Sequence, residues 1–244
     1  MTAAGAPPEL GVVSVAWAAP TARPALVRLL DDVERSRLAR FRNADDRARF
    51  VAAHALLRIM VGRHVGRAPQ QVVLDLTCPR CGRPHGPPRL VDEVVHLSLA
   101  HAGCRVLVAV STVGPVGVDV DTEAAAAFPG FDDVALAPSE RSVIARLPPG
   151  RRDAARVPAW VRKEAVLKAT GDGLTVPPGD VVVSPLGEPP RLVTWHGAPR
   201  EPVHLQDVDV VAAGHAACAA VVAATRPEVV VRPGQDLLRD AGGA

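Results

Sequence analysis

The stretch WVRKEAVLKATGDGL, residues 160–174, holds both lysines of a chain whose 28 lysine and arginine residues are otherwise all arginine. The pattern predicts a helix over roughly residues 152–170, with Pro158 bending it or marking its start and the Gly-Asp-Gly sequence ending it. In such a helix Glu164 and Lys168 lie on one face. Lys163 is rotated by about 100° from Glu164, so it need not share the same surroundings.

Glu164 and Lys168 have two readings. As a surface ion pair they would contribute only a few tenths of a kcal/mol, and arginine, which this chain otherwise prefers, would serve equally well. A lysine ammonium is a compact point charge that meets a phosphate where a planar guanidinium does not fit. We therefore interpret Lys168 as a charge that faces a ligand, with Glu164 as a carboxylate of the same site.

A second acidic pattern occurs in VGVDVDTE, residues 116–123, which reads as a strand. Alternate residues of a strand share a face, so Val118 and Val120 should enter the core while Asp119 and Asp121 point together to the other side. Neighbouring carboxylates repel each other and favour a cation between them. Magnesium prefers oxygen ligands of this kind. A solvated strand edge, or pairing with nearby arginines, explains the same pattern.

Composition narrows the functional class. The 244 residues allow one large or two small domains, and 48% hydrophobic residues suffice for a packed core. With a net charge of +2 and scattered basic residues, the sequence shows no basic patch of the kind that binds nucleic acid. No apolar run approaches the roughly 20 residues of a membrane span. The N-terminus lacks the features of a signal peptide, which favours a cytoplasmic location.

The order of elements predicts an α+β fold. VVHLSLAHAGCRVLVAV (94–110) resembles VHLQDVDVVAAGHAACAAVVA (203–223), which suggests two similar α+β halves, residues 1–113 and 114–244. Chance similarity in a chain rich in valine and alanine competes with this reading. A helix near residue 139 is expected to be capped by Ser139. The other expected elements are strands at 11–17, 72–76, 93–100 and 104–111, helices at 24–41 and 45–65, a loop at 78–89, and later strands at 181–184, 191–195, 203–211 and 215–223.

Four cysteines are present, at positions 78, 81, 104 and 218. Cys78 and Cys81 form a Cys-x2-Cys pair with His85 close behind, a spacing that suggests zinc or redox chemistry in a cytoplasmic chain. A structural zinc site usually has four ligands, and only three are local. The alternative is a loop rich in glycine and proline whose thiols have no essential role.

GVDVD, followed about forty residues later by WVRKEAVLKATGDGL, resembles the 4′-phosphopantetheinyl transferases of the Sfp type. The second motif matches every fixed position of the family pattern W-x-x-K-E-[AS]-x-x-K-x-x-G-x-G-L. LSLAHAG (97–103) resembles the family's Ser-His turn, with Ala100 in place of the serine, and DRARFVAAHALLR (46–58) resembles its arginine-bearing helix. The resemblance covers about residues 10–225.

The resemblance implies an enzyme of the holo-[acyl-carrier-protein] synthase class. It would move the phosphopantetheine arm of coenzyme A to a serine of an apo carrier protein and release 3′,5′-ADP. By position, Asp119, Asp121 and Glu164 would hold Mg²⁺ against the pyrophosphate, although Asp121 stands where the family often has the longer Glu. Glu164 would also take the serine proton, and Lys168 would meet a pyrophosphate oxygen.

The same resemblance implies that His101 and Arg49 contact the coenzyme phosphates, including the 3′-phosphate. CGRPHGPPR (81–89) lies where the family carries a Gly-Lys-Pro loop, and Pro87 takes the lysine position. Arg83 or Arg89 would then supply the missing charge. The implied fold is a monomer of two similar halves related by a pseudo-twofold axis, with the active site at their interface.

The implied partners are acyl or peptidyl carrier proteins, small acidic helical domains. The helix near residues 132–147 and nearby arginines suit such a partner, but whether fatty-acid, polyketide or nonribosomal peptide synthesis is served stays open. Two other functions stay open at this point: a zinc-binding interaction module around Cys78, Cys81 and His85, and an inactive relative that binds coenzyme A without transfer. The arginines near the helix at residues 132–147 are Arg141, Arg146, Arg151 and Arg152.

Overall fold

The computed structural model describes residues 11–78, 81–91 and 95–241, with the backbone alone for Pro84 and His85. The fold is mixed α+β. In these residues no helix has the length and apolar character that crossing a membrane requires.

The described strands are β1 (Val12–Ala18), β2 (Leu74–Thr77), β3 (Pro84–Leu90), β4 (His96–Ala102), β5 (Arg105–Ser111), β6 (Val116–Thr122), β7 (Val182–Val183), β8 (Leu192–Thr194), β9 (Val203–Asp207), β10 (His215–Val222) and β11 (Glu228–Pro233). The described α-helices are α1 (Pro24–Val27), α2 (Asp32–Leu38), α3 (Ala44–Val65), α4 (Phe131–Ala135), α5 (Pro138–Ala145), α6 (Pro149–Thr170) and α7 (Gln235–Asp240).

The first sheet has the strand order β11-β1-β5-β4. Strands β1, β5 and β4 pair antiparallel, whereas β11 joins β1 in parallel. Helix α3 packs on this sheet with an almost wholly buried middle section that includes Phe50 and Leu57. Asn43 caps its N-terminus by accepting a hydrogen bond from the Asp45 amide at 2.7 Å, and Gly66 ends it in the left-handed region at φ +67°.

The second sheet has the order β6-β10-β9, again antiparallel throughout. Helix α6 covers one face of it and forms a second core with β10 and the loops around α4. The opposite face packs against the first sheet through a third apolar cluster, in which Val15 and Leu107 meet Val118 and Ala219. This cluster joins the two sheets back to back, so that both helix-covered faces lie outside it.

Several expected elements differ in detail. The stretch expected to be a loop includes a strand, β3, which pairs with β2 in a separate hairpin. The expected first helix is split into α1 and α2, and Asp31 caps α2 by accepting the Glu34 amide. Ser139 is not the cap of α5, because Ala137 occupies that position and the Glu140 carboxylate accepts its amide at 2.8 Å.

The end of the chain was not expected to form β11 and α7. Strand β11 completes the first sheet, and Leu238 of α7 is fully buried in the core around α3. Residues from the C-terminal part of the sequence therefore belong to the sheet of the N-terminal part. The division at residues 113 and 114 stays a prediction, and it describes chain order better than sheet membership.

Candidate active site

Strand β6 and helix α6 approach each other unusually closely at Gly117. A Cβ atom placed there would lie 2.1 Å from the Ala165 carbonyl oxygen and 2.4 Å from the Ala169 nitrogen, so only glycine fits. Because side chains alternate along a strand, Asp119 and Asp121 share the face of Gly117 that looks toward α6. The missing side chain thus brings two acidic residues of the strand up to the helix that carries Glu164 and Lys168.

Asp119 and Lys168 are in direct contact. The Lys168 ammonium donates to Asp119 Oδ1 at 2.6 Å and to the Val118 carbonyl oxygen at 3.2 Å. Asp119 is almost completely buried, whereas Lys168 keeps about a third of its side chain exposed. Burial raises the pKa of Asp119, the lysine opposes that rise, and the charge of Asp121 adds to it.

Glu164 has no partner for one of its oxygens. Its side chain is 8% exposed, and Oε1 is buried without a hydrogen-bond donor in the described part of the chain. Burial raises the pKa of Glu164 to about 7, and the charges of Asp119 and Asp121 add to the rise while Lys168 opposes it. An unsatisfied buried carboxylate oxygen is costly, and perturbed acids of this kind cluster at functional sites.

The three carboxylates of Asp119, Asp121 and Glu164 fit a divalent cation in their chemistry. They lie within electrostatic range of one another, they offer oxygen ligands, and an added cation would satisfy Glu164 Oε1. Within the described residues, however, no three acidic, histidine or cysteine side chains already converge as a metal-ligand cluster. Asp121 Oδ1 accepts a hydrogen bond from the Thr122 amide at 2.8 Å, and Asp119 is bound to Lys168. Both carboxylates would therefore have to reorient before they could bind a cation together with Glu164.

Lys163, the other lysine of the motif, points away from this site. It is fully buried, and its ammonium donates to Glu140 Oε2 at 2.5 Å and to the Ala135 and Pro178 carbonyl oxygens at 2.7 and 3.0 Å. Three acceptors arranged around one nitrogen match the three protons of an ammonium group. Lys163 therefore fastens α4 and α5 to α6, and it takes no part in the acidic site.

A cleft of about 320 Å³ opens beside Lys168, between the end of α6 and elements of the N-terminal part of the chain. Its walls come from α2 and α3, the β2–β3 hairpin, β4, and the end of α6 with the following turn. Two segments singled out in the sequence meet in this cleft. Pro87, from the stretch predicted to be a loop, and Lys168, from the helix of the lysine motif, both line it. The lining residues are Arg37, His54, Leu76, Gly86, Pro87, Pro88, Leu97, Ser98, Leu99, Leu167, Lys168, Gly171 and Gly173.

Arg49 and His101 form a basic corner near the cleft. Arg49 on α3 donates to the Gly103 carbonyl oxygen at 2.9 Å and pairs with Asp46 at 2.5 Å. Burial lowers the pKa of His101, and the positive charges of Arg49 and Lys168 lower it further. The structure therefore brings Arg49, His101 and Lys168 within electrostatic range of one another.

Arg83 is not brought to the cleft. It lies exposed at the turn of the β2–β3 hairpin, where its carbonyl oxygen accepts the Cys78 amide at 2.8 Å. Arg89 lies opposite Asp75 in the same hairpin and is also exposed. The side chain of His85 lies outside the described residues, so the zinc hypothesis for Cys78, Cys81 and His85 stays a prediction.

Two cleft residues were missed by the sequence reasoning. Arg37 of α2 lines the cleft with its guanidinium 5.3 Å from the Phe50 ring centroid, and it looked like any charged residue of an exposed helix face. His54 also lines the cleft, where its Nδ1 atom lies 2.8 Å from Glu34 Oε1. The only signal for His54 was a histidine within the otherwise apolar middle of the predicted helix.

The part of the chain that carries the acidic site is similar to known proteins. A family model described as the 4′-phosphopantetheinyl transferase superfamily matches residues 115–221, from β6 to the end of β10. A Synechocystis protein provisionally named a 4′-phosphopantetheinyl transferase is 32% identical over 168 residues, 65% of each chain and thus just under two thirds of that relative's length. The 4′-phosphopantetheinyl transferase HetI of Nostoc is 30% identical over 181 residues, 69% of this chain and 74% of HetI.

Proposed function

The chain belongs to the 4′-phosphopantetheinyl transferase superfamily, and we propose that it moves the phosphopantetheine arm of coenzyme A to a serine of an apo carrier protein, releasing 3′,5′-ADP. The observation that carries the proposal is the orphaned Glu164 oxygen beside the Asp119–Lys168 pair. A buried carboxylate that can accept a proton, near the positive charge of Lys168, supplies a base for a hydroxyl and a positive charge for a phosphate, two groups that phosphoryl transfer uses.

Glu164 takes the proton of the attacking serine, directly or through a water. Burial raises the pKa of metal-free Glu164 to about 7, and a bound cation would lower it; a general base works best when its pKa lies near the working pH. Lys168 meets a pyrophosphate oxygen and stabilises the charge that develops as the 3′,5′-ADP leaves. When held by Asp119, Asp121 and Glu164, a Mg²⁺ ion supplies further positive charge against the pyrophosphate.

The coenzyme binds in the cleft beside Lys168, with its phosphates toward Arg49 and His101. Arg37 is a further candidate for phosphate contact, since it lines the same cleft. Arg83 is the weakest member of the expected set, because it lies at the exposed turn of its hairpin.

The two halves are proposed to be related by a pseudo-twofold axis with the active site between them. The support is topological. Strand, long helix, hairpin and antiparallel strand pair follow one another in both halves, giving sheet orders β1-β5-β4 and β6-β10-β9. The helices α3 and α6 occupy matching positions in this sequence of elements, each carrying side chains that line the cleft. Monomeric function is part of the same proposal.

The carrier protein is proposed to dock near α5 and the start of α6. Arg141 is already paired with Asp133 at 2.5 Å, and Arg152 donates to the Leu147 carbonyl oxygen at 3.1 Å. Arg146 and Arg151 are exposed and, among the described residues, have no side-chain partner. These two arginines are therefore the better candidates for contact with an acidic partner.

The deciding experiment incubates the protein with coenzyme A, Mg²⁺ and a panel of apo acyl and peptidyl carrier proteins. Intact-mass analysis should show the gain of one phosphopantetheine on a carrier serine, absent with EDTA and in the Glu164→Gln variant. Coenzyme A binding without mass gain on any carrier would favour an inactive relative. Tightly bound zinc without turnover would favour the zinc module.

A further inference from the structure

His54 lies in the buried middle of α3 and lines the cleft together with Arg37 of α2. It is almost fully buried, and its ring packs against Phe50 with the ring centroids 4.1 Å apart. The Arg37 guanidinium approaches the same Phe50 ring at 5.3 Å. The fold therefore gathers a histidine and an arginine around one aromatic ring in the wall of the cleft.

Glu34 fixes the orientation of the His54 ring. Burial alone would raise the pKa of Glu34, but the hydrogen bond and charge of His54 and the charge of Arg58 lower it, so the group is a carboxylate. Its Oε1 atom lies 2.8 Å from His54 Nδ1 and can only accept, so Nδ1 carries a proton. His54 Nε2 has no hydrogen-bond partner among the described residues, which leaves this nitrogen for a ligand in the cleft.

The buried group behind His54 is short of one positive charge. Arg58 donates from Nε to Glu34 Oε2 at 2.7 Å and from Nη2 to Asp31 Oδ2 at 2.5 Å, so one guanidinium serves two carboxylates. The Arg58 and Glu34 side chains are almost completely buried, whereas 36% of the Asp31 side chain is exposed. A second proton on His54 would balance these charges, because buried charges are stable only when they are paired. The surroundings therefore favour an imidazolium, which donates from both of its nitrogens.

The lining of the cleft suits an anionic ligand. Its charged side chains besides His54 are those of Arg37 and Lys168, and no acidic side chain lines it in the described part of the chain. Lys168 belongs to α6 and lies beside the acidic site, whereas Arg37 and His54 belong to α2 and α3. A ligand with two separate phosphate groups would meet Lys168 with one group and the pair of Arg37 and His54 with the other.

We propose that His54 binds the ribose 3′-phosphate of coenzyme A as an imidazolium, and that coenzyme binding is thereby linked to proton uptake; this inference rests on the proposed function. Nδ1 donates to Glu34 while Nε2 donates to a phosphate oxygen. The 3′-phosphate is a monoester that carries up to two negative charges on three terminal oxygens, so it suits two cations better than the pyrophosphate does. Glu34 does not touch the ligand and is a positioning residue.

The proton that His54 donates comes from the solvent. Binding therefore takes up a proton wherever the imidazole of the free protein is neutral, and coenzyme affinity falls as the pH rises through that range. Other charged and titratable groups act on His54 from each element around the cleft. They are Glu34 and Arg37 on α2, Arg49 and Arg58 on α3, His101 at the end of β4 and Lys168 on α6.

The test measures the binding of coenzyme A and of 3′-dephospho-coenzyme A to the full chain by calorimetry in EDTA, between about pH 6.5 and 9. His54→Asn keeps a donor near the position of Nδ1 and removes Nε2. At about pH 6.5 it should weaken coenzyme A binding at least about tenfold, as expected for loss of a hydrogen bond between charged groups. The difference from the parent should shrink as the pH rises, and 3′-dephospho-coenzyme A should bind both proteins equally.

Two further variants complete the measurement. His204→Asn is the matched control, because it removes a partly buried histidine of β9 whose Nε2 lies 3.1 Å from the Ala223 carbonyl oxygen, and it should change the binding of neither ligand. Glu34→Gln keeps an acceptor for Nδ1 but removes the charge, so the decline of coenzyme A affinity should move to lower pH. An equal loss of both ligands in His54→Asn, a loss that does not vary with pH, no loss at all, or an unmoved pH profile in Glu34→Gln would overturn the proposal.

The carrier assay separates this inference from the proposed function. His54→Asn should raise the KM for coenzyme A at least about tenfold and change kcat less than about threefold, because the 3′-phosphate is remote from the bond that breaks. A fall in kcat at unchanged KM would contradict a binding role. If the parent neither binds coenzyme A nor transfers its arm, the proposed function fails and the role of His54 fails with it. If the parent transfers and His54→Asn has the same KM, the role of His54 alone fails.

Discussion

At the scale of single residues, the surroundings of the two lysines explain why this chain uses lysine instead of arginine in one helix. Lys163 is surrounded by one carboxylate oxygen and two carbonyl oxygens, a shell that suits the compact ammonium and leaves no room for a planar fork. Lys168 holds Asp119 but keeps part of its side chain exposed, so it can turn to a ligand. One lysine stabilises the helix in the fold, and the other is available for chemistry.

The lysines should separate stability from activity. Lys163→Met leaves the buried Glu140 carboxylate without its cation, and loss of one partner of a buried pair typically costs about 3–5 kcal/mol. Lys168→Met leaves Asp119, which is as buried as Glu140, without its cation and should also lower stability, but only this variant should lower transfer by the folded protein at least about a hundredfold. Urea unfolding and the carrier mass assay measure the two effects. A similar fall in transfer by folded Lys163→Met would contradict the division of roles.

Glu164 should make stability depend on pH in metal-free protein. Its folded pKa of about 7 lies above the ordinary 4.5, so the protonated form stabilises the fold below about pH 4.5 and this contribution is lost as the pH rises through 7. Glu164→Gln cannot ionise. In EDTA the variant should therefore match the parent at pH 4.5 and exceed it by up to about 3 kcal/mol at pH 8.

Unfolding of parent and variant at several pH values checks this expectation. Glu188→Gln, at an exposed carboxylate, is the control and should show no such trend. Mg²⁺ at pH 8 should stabilise the parent and not Glu164→Gln. A difference between parent and variant that does not grow with pH would mean that Glu164 is not held in a costly charged state.

At the scale of elements, the site exists because one strand and one helix touch at a single glycine. The sequence indicated the strand and the helix separately, from alternation in one and from the motif spacing in the other. The family resemblance implied that the strand and the helix share one site, but neither local pattern showed how they meet, because the close approach is set by Gly117 against the backbone of α6. That contact turns two separate acidic patterns into one site.

Gly117→Ala should therefore damage fold and site together. The added methyl group would meet backbone atoms at 2.1 and 2.4 Å, and backbone cannot rotate away as a side chain can. We expect a loss of at least about 2–3 kcal/mol, at the upper end of overpacking effects, and transfer below detection because Asp119 moves away from Lys168. Thermal unfolding and the carrier assay measure both.

Gly150→Ala is the matched control for that substitution. Gly150 lies in the first turn of α6, and a Cβ atom there meets nothing within 4 Å. Alanine should leave transfer unchanged and raise stability by up to about 1 kcal/mol, since glycine is a poor helix former. Similar losses in both variants would show that helix composition, and not the contact with β6, is responsible.

Elements with a strong local pattern were predictable, and those specified by distant partners were not. Helix α3 was expected at residues 45–65 and runs over Ala44–Val65, because a long apolar stretch between Asn43 and Gly66 carries its own caps. Strand β3 was missed because its prolines and glycine read as a loop, yet pairing with β2 makes it a strand. For the candidate site, Asp119, Asp121, Glu164 and Lys168 were selected from strand alternation, helical spacing and the motif, whereas no local pattern pointed to Arg37, which reaches the cleft only in the folded chain.

At the scale of the whole molecule, the fold is two helix-covered sheets joined by a shared apolar layer. The valines of β1 and β6 meet in that layer, and residues from both parts of the chain line the cleft. The chain also returns at its end to pair β11 with β1. Neither half is therefore complete from its own stretch of sequence, and the molecule should unfold as one unit.

The last strand and helix should be required for the stability of the whole molecule. A chain ending at Pro227 loses β11 and the fully buried Leu238, which leaves β1 as an open edge and uncovers the core around α3. Leu238→Ala alone should cost about 2–5 kcal/mol as a large-to-small core substitution. Leu186→Ala, at a residue 52% exposed, should stay within about 0.5 kcal/mol of the parent.

Tryptophan fluorescence tests whether the loss spreads across the shared layer. Trp17 lies in β1 of the first sheet, and the buried Trp195 packs in the core of the second, so variants in which Trp160 and one of these two tryptophans are replaced report on each half. Because the apolar layer joins the sheets, Leu238→Ala should shift both urea transitions to the same lower midpoint. A shift confined to the Trp17 reporter would show that the halves unfold independently and that the shared layer does not couple them.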